Sequence, residues 1–265
     1  MRDTGPDTGK VVFIGAGPGD PELLTLKAAR LIGQADLVLY AGSLVPVAIA
    51  DLAREGARVE DSSGMTLEET HALLLDCAGA GGLAARVHTG DPALYGAVAE
   101  QAALLDAAGI PWEVVPGVTA AFAAAAAAKV GLTRPGGAQS VVVTRMAGRT
   151  PVPEAQGLER FAATGASLAL YLSASLADEA RERLLAGGLA ADTPVIAARR
   201  VGWPDELVVR TTVEAMARDA GRAGMDRQTV FLVLPGAQEA AEPSKLYDQG
   251  FAHGFRDAEA STEED

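Results

Sequence analysis

Apolar positions along the chain fall into short runs separated by amphipathic stretches. The first set is "VVFIG" (11–15), "DLVLY" (36–40), "ARVE" (57–60), "AARVHTG" (84–90) and "WEVV" (112–115), and each run predicts a strand. Helical patterns lie between them at 21–33, about 44–53, 66–78 and 95–108, and an Ala-rich stretch at 119–130 closes the set. Apolar strands alternating with helices predict a mostly parallel sheet covered on both faces. The Pro/Gly cluster "LTRPGGAQ" (132–139) predicts a linker, which makes 11–131 an N-terminal α/β domain. A second set follows: "SVVVTR" (140–145), "SLALYLSA" (167–174), "TPVIAA" (193–198), "ELVVRTT" (206–212) and "TVFLVLPG" (229–236), with helices at 175–187 and 212–222. It defines a C-terminal α/β domain, 140–236. Residues 1–10 read as a loose leader, and 237–265 as a polar tail ending in "STEED" with a mobile tip. There is no repeat of fixed period.

Bulk numbers narrow the function. The chain has 265 residues, 49% of them hydrophobic, enough for a substantial core. A net charge of −13 argues against a nucleic-acid partner, which needs a basic face. Cys77 is the lone cysteine, so no intramolecular disulfide forms, and a reducing cytoplasm is the expected location. His71, His88 and His253 are scattered without ligand spacing, so no metal site is expected. Residues 1–10 lack the apolar core of a signal peptide. The longest apolar run, 118–128, is far short of the roughly 20 residues that span a bilayer, so no membrane partner is expected.

Candidate chemistry begins at "VVFIGAGPGDPELL" (11–24), a strand entering a Gly-rich turn and then a helix. Dinucleotide folds want Gly-x-Gly-x-x-Gly and an acidic residue ending the second strand. Here the spacing is Gly15, Gly17, Gly19; Pro18 removes an amide donor; and the second strand ends Tyr40-Ala41-Gly42. A nicotinamide oxidoreductase is therefore the weaker reading. Asp20 suits an N-cap, Pro21 the first helical position, and Glu22 the helix dipole. Two more loops leave strand ends through glycine: "HTGDPALYG" (88–96) and "VVPGVTAA" (114–121), where Thr119 is a candidate cap. Ligands of parallel sheets bind beyond the carboxyl ends of strands, so the three loops predict one shared crevice. Asp91 is the best single carboxylate there, as a helix cap or as an acceptor for ribose hydroxyls. His88 reads as a packed histidine.

The motifs "FIGAGPGDPELLTLKAARLI", "ADLVLYAGSLV", "HTGDPALYGA", "EVVPGVTAAFAAAAAA", "VVVTRMAGRTPVPE", "LALYLSAS" and "GWPDELVVRTT" together resemble the tetrapyrrole methyltransferase family, from Val11 to about Arg256. "YAGSLV" with "GRTPVPE" and "WPDE" resembles its precorrin-4 branch. The resemblance implies two α/β domains, the first on a mostly parallel and the second on a mixed sheet. It also implies S-adenosylmethionine (SAM), bent, in the cleft between them, and a homodimer. The implied reaction is methylation of precorrin-4 at C-11 to precorrin-5 in cobalamin biosynthesis, with cobalt-precorrin-4 as the alternative substrate. The tail "SKLYDQGFAHGFR" leans toward the metal-free substrate.

Residue by residue, the resemblance assigns cofactor contacts to Pro18, Thr89, Gly90, Asp91, Leu94, Thr119, Ala120, Leu172 and Val201. Methyl transfer to an electron-rich ring carbon needs positioning of two reactants rather than a protein nucleophile. Substrate carboxylates call for arginines, and Arg145 and Arg149 flank a strand end. Arg199 and Arg200 are adjacent, so at most one faces a given side. Tyr40, Ser43, Met65 and Trp203 complete the candidate substrate set. The catalytic group is not assigned. Relatives acting on uroporphyrinogen carry an Asp credited with proton removal where this chain has Ala41, and others place one where it has Gly42.

Overall fold

The computed structural model describes residues 9–237, 244, 246 and 248–257; the leader through residue 8 and the "STEED" tip lie outside them. The described residues up to Ala127, with Ala198–Val208, form one compact unit. Ala128–Ala197 and the described residues from Val209 onward form a second.

In the first unit five strands, β1 (Lys10–Gly15), β2 (Leu37–Tyr40), β3 (Arg58–Asp61), β4 (Leu83–His88) and β5 (Trp112–Val115), build a sheet of order β3-β2-β4-β1-β5. Every neighbouring pair is parallel. All five carboxyl ends therefore share one edge. From Val11 to Ile14 the first strand is apolar because both faces are covered. Val12 and Ile14 pack with Ala28, Leu31 and Ile32 of α1 (Leu26–Ile32) and Ile49 of α2 (Val47–Ala50). Val11 and Phe13 face Leu74 of α3 (Leu67–Gly79) and Leu105 of α4 (Val98–Ala107). A reciprocal cap starts α3: Glu69 N donates to Thr66 Oγ1 and Thr66 N to Glu69 Oε2. The Ala-rich α5 (Ala120–Ala127) follows β5, with Ala121 and Ala124 buried.

Several helices are shorter than their periodicity predicts, three of them for a visible local reason. The stretch 21–33 divides into a 3-10 turn, Pro21–Leu23, and α1, because Thr25 Oγ1 accepts the Ala28 amide and restarts the helix. The pattern at 44–53 contracts to α2 behind Pro46. The helix expected from residue 95 begins at Val98, because Tyr95 and Ala97 have φ of 58° and 50°. Left-handed conformations at non-glycine residues end a helix and mark strained turns.

A second sheet holds β6 (Val141–Arg145), β7 (Ser167–Tyr171), β8 (Pro194–Arg199), β9 (Leu207–Thr212) and β10 (Thr229–Val233) in the order β6-β7-β10-β8-β9, and all of it but the end of β8 and the start of β9 belongs to the second unit. β6 and β7 run parallel and β7 and β10 antiparallel, so the sheet is mixed. Its helices are α6 (Leu158–Ala162), which the hydrophobic pattern does not announce, α7 (Ala177–Ala186) and α8 (Met216–Arg222).

Candidate functional site

The carboxyl ends of β1, β4 and β5 meet backbone to backbone. Gly17 and Gly90 exchange hydrogen bonds, with N···O distances of 3.2 and 2.7 Å. A Cβ on Gly15 would lie 2.5 Å from Gly117 N, and one on Gly117 would lie 2.2 Å from Gly90 O. No other residue type fits such an approach. Asp91 locks the arrangement: Oδ1 accepts from Ala93 N at 2.8 Å and Oδ2 from Gly117 N at 3.0 Å. Its carboxylate is thus a turn cap and a cross-link between two loops. Thr119, whose carbonyl accepts from Phe122 N, and Ala120 adjoin Gly90. Pro18, Gly90, Asp91, Thr119 and Ala120 therefore form one cluster. Thr89 is exposed and Leu94 half-buried in the same loop, where Leu94 N donates to the Asp91 carbonyl.

The segment after β8 joins this cluster within the first unit. The Trp203 indole Nε1–H donates to Pro18 O at 3.1 Å, and its ring lies where a Cβ on Gly19 would be, 2.3 Å from Cδ1. That contact explains the early third glycine. The Arg200 guanidinium sits 4.0 Å from the Trp203 ring centroid, a cation–π contact, and its Nε pairs with Asp205 at 2.8 Å. Gly202 N donates to Glu206 Oε2. "WPDE" thus folds its own loop and lays Trp203 on the Gly-rich turn. Val201 is buried beside it.

Farther along the same edge stand the ends of β2 and β3. Asp61 Oδ1 accepts from both Gly42 N and Ser63 N, each at 2.8 Å. Those amides hold its carboxyl below the usual range. A Cβ on Gly42 would lie 2.4 Å from Asp61 Oδ2. Ser62 is buried and donates through N and Oγ to the Tyr40 carbonyl, at 2.7 and 3.1 Å. Arg86 supports it from β4, Nη1 donating to Ser62 Oγ at 2.8 Å. Burial lowers the Arg86 pKa. Sequence reasoning missed Asp61; the available signal was an acidic residue at a strand end followed by "SSG". Tyr40 is half-buried and Ser43 exposed at this edge, while Met65 packs against the core of Phe13 and Leu74.

His88 is a packed residue. Its ring contacts Phe13 at 5.9 Å between centroids, and burial, then the charge of Arg86, pushes its pKa down to about 3. Its Nε2 is buried without a hydrogen-bond partner among the described residues.

Arg145, Arg149 and Leu172 belong to the second unit. The Arg145 guanidinium donates to the carbonyls of Met146, Thr150 and Pro151 at 3.2, 3.1 and 2.8 Å, so it braces its own loop. Arg149 is exposed on that loop. Leu172 has φ of 53° and an exposed side chain. Next to it the buried Ser173 hydroxyl donates to Tyr171 O and accepts from Met146 N.

Residues 10–217 match the family of tetrapyrrole (corrin/porphyrin) methylases. The chain is 45% identical to a cobalt-precorrin-4 C(11)-methyltransferase of Priestia megaterium, covering 93% of this chain and 97% of that one. It is 41% identical to a precorrin-4 C(11)-methyltransferase of Pseudomonas aeruginosa, covering 94% and 99%. Among solved structures it resembles a cobalamin biosynthetic cobalt-precorrin-4 methyltransferase, with a TM-score of 0.83, 45% identity and coverage of 85% and 94%. A uroporphyrin-III C-methyltransferase of Thermus thermophilus complexed with S-adenosylhomocysteine (SAH) gives a TM-score of 0.72, 32% identity and coverage of 85% and 97%.

Proposed function

The chain belongs to the tetrapyrrole (corrin/porphyrin) methylase family, and from that premise we propose that it is a SAM-dependent methyltransferase acting at C-11 of precorrin-4. The observation that carries the reading is that two relatives, 45% and 41% identical over more than nine-tenths of the chain, both bear C(11)-methyltransferase names.

The glycine cluster fits the cofactor. Gly15, Gly90 and Gly117 exclude side chains where three strand ends meet, so main chain forms this part of the edge. Pro18, Thr89, Gly90, Asp91, Leu94, Thr119 and Ala120 would hold the cofactor, with Val201 beside them. When bound, SAM supplies an electrophilic methyl carbon. The chain's part is to fix its position relative to the macrocycle, an effect worth roughly 7–11 kcal/mol in favourable cases. The Asp91 cross-link and the Trp203 contact serve that purpose, because they immobilise the loops before any ligand arrives. Arg149 is the arginine assigned to a substrate carboxylate, since Arg145 is occupied with carbonyls. A cytoplasmic homodimer completes the reading. Among the described residues no helix is long and apolar enough to cross a membrane.

Calorimetry with SAH and with NADH tests the cofactor: binding of SAH alone is expected, and binding of NADH alone overturns the reading. Incubation with methyl-labelled SAM and precorrin-4, followed by mass spectrometry and NMR, is expected to place the label at C-11. The 45% identity to the cobalt-precorrin-4 enzyme makes the cobalt-loaded macrocycle the second substrate to assay. Faster turnover of that form would reassign the preference.

A further inference from the structure

Attack by a macrocycle carbon on a sulfonium methyl leaves a proton to be disposed of. The ring carbon's π pair forms the new C–C bond as the methyl C–S bond breaks toward sulfur. The macrocycle becomes positively charged and must shed one proton from N–H or C–H. An acceptor is therefore required at the edge where the macrocycle lies. Resting on the methyltransferase reading, we propose that Asp61, delivered by β3 into the space beside Gly42, is the carboxylate that takes this proton and passes it to water.

Other acidic groups near this edge are held through both oxygens, paired with an arginine, or stand away from the tips of β2 and β3, whereas Asp61 takes its two amides on Oδ1 alone. Both Asp91 oxygens accept backbone amides, from Ala93 and Gly117. Asp20, whose Oδ1 accepts from Glu22 N, caps the turn after β1 and not the tips of β2 and β3. Glu60 pairs with Arg58 at 2.8 Å. His88 is half-buried with its ring packed against Phe13, and its proton affinity is depressed. The exposed Asp61 carboxylate stands at the tip of β3, with Oδ1 held by two amides and Oδ2 in the space that a Cβ on Gly42 would need. The amides keep it ionised, and a weak base suffices because the methylated ring is a cation and a strong acid.

Position also favours it. β3 and β4 are separated by β2 alone, so at about 4.8 Å per strand spacing Asp61 lies about 10 Å along the edge from the Gly90 loop. One macrocycle can reach both, and its conjugation connects the methylated carbon to a distant N–H. Behind Asp61, Arg86 and Ser62 fix the end of β3 to that of β2, so the carboxylate is presented on rigid strands.

Asp61→Asn keeps an Oδ1 that can accept both amides, which separates chemistry from folding. Turnover is expected to slow by roughly 100-fold or more, the range of general acid–base contributions, with SAH affinity by calorimetry and the melting temperature near wild type. Turnover within about threefold of wild type overturns the proposal. The geometry gives a second arm. Asp61→Gly alone should lose activity, and adding Gly42→Asp should restore at least about tenfold of it by refilling the same space from the turn after β2. Failure of the double variant to recover activity, while it still binds SAH, counts equally against the proposal. If wild-type protein transfers no methyl group at all, the methyltransferase reading fails instead.

Discussion

The Oδ2 atom of Asp91 accepts the Gly117 amide at 3.0 Å, so one carboxylate ties the loop after β4 to the loop after β5. Bonds to a charged acceptor contribute roughly 1.5–3 kcal/mol each, and Asp91 makes two. Asp91→Asn retains one acceptor oxygen but turns an N–H toward a backbone N–H. A loss of about 1.5–3 kcal/mol is expected in urea unfolding, together with weaker SAH binding. Weaker binding at unchanged stability would make Asp91 a ligand contact rather than a brace.

Gly117→Ala is expected to be among the most damaging methyl additions in the protein. The added carbon would lie 2.2 Å from Gly90 O, against backbone that cannot give way. The cost should reach or exceed the roughly 1–3 kcal/mol of ordinary overpacking. Gly221→Ala in α8, with open space around the new methyl, is the control, and it should gain about 0.5–1 kcal/mol. Equal behaviour of the two variants in denaturant titration would contradict the backbone contact.

Trp203→Phe removes the hydrogen bond to Pro18 O and weakens the contact with Arg200. About 1 kcal/mol of stability should go with the bond. If the indole steadies the Gly17–Asp20 turn, SAH affinity should drop by about 3- to 10-fold, the equivalent of about 0.7–1.4 kcal/mol. Trp112 is the only other tryptophan, so in a Trp112→Phe background the emission of Trp203 reports the turn directly. No emission change on SAH binding would separate the turn from the cofactor.

His88 imposes a pH dependence whose direction follows from its depressed pKa. Above pH 6.5 the imidazole is neutral in both folded and unfolded chains and contributes nothing to the slope. Between 6.5 and about 3 the unfolded chain takes up a proton that the folded protein refuses. Folding stability then falls as the solution is acidified, by up to about 1.4 kcal/mol per pH unit. His88→Gln should flatten this limb, so the wild-type advantage measured at pH 7 shrinks by pH 5. Parallel stability curves for the two proteins would show that His88 titrates normally when folded.

The alternation of strands and helices was legible because β1, β2, β7 and β8 are apolar runs bounded by turn residues. The three glycine loops were legible as neighbours because parallel strands bring their carboxyl ends to one edge. Contacts between remote segments were not. Trp203 and Gly19 stand 184 positions apart, and no local pattern announces that an indole fills the space above a glycine. Asp61 escaped notice for the same reason: its partner Gly42 lies in the turn after another strand, and only the pairing of Tyr40 with Asp61 brings them together. Helix starts were misread where a local cap or a left-handed residue, as at Thr25 and Ala97, overrides apolar periodicity.

Gly42 and Asp61 share one volume that holds a single functional group. A chain that acquires bulk at position 42 must move or surrender the acid at position 61, and a chain that holds the acid in this place must leave 42 bare. The two sites should therefore be inherited as a matched pair, each recording the other's history.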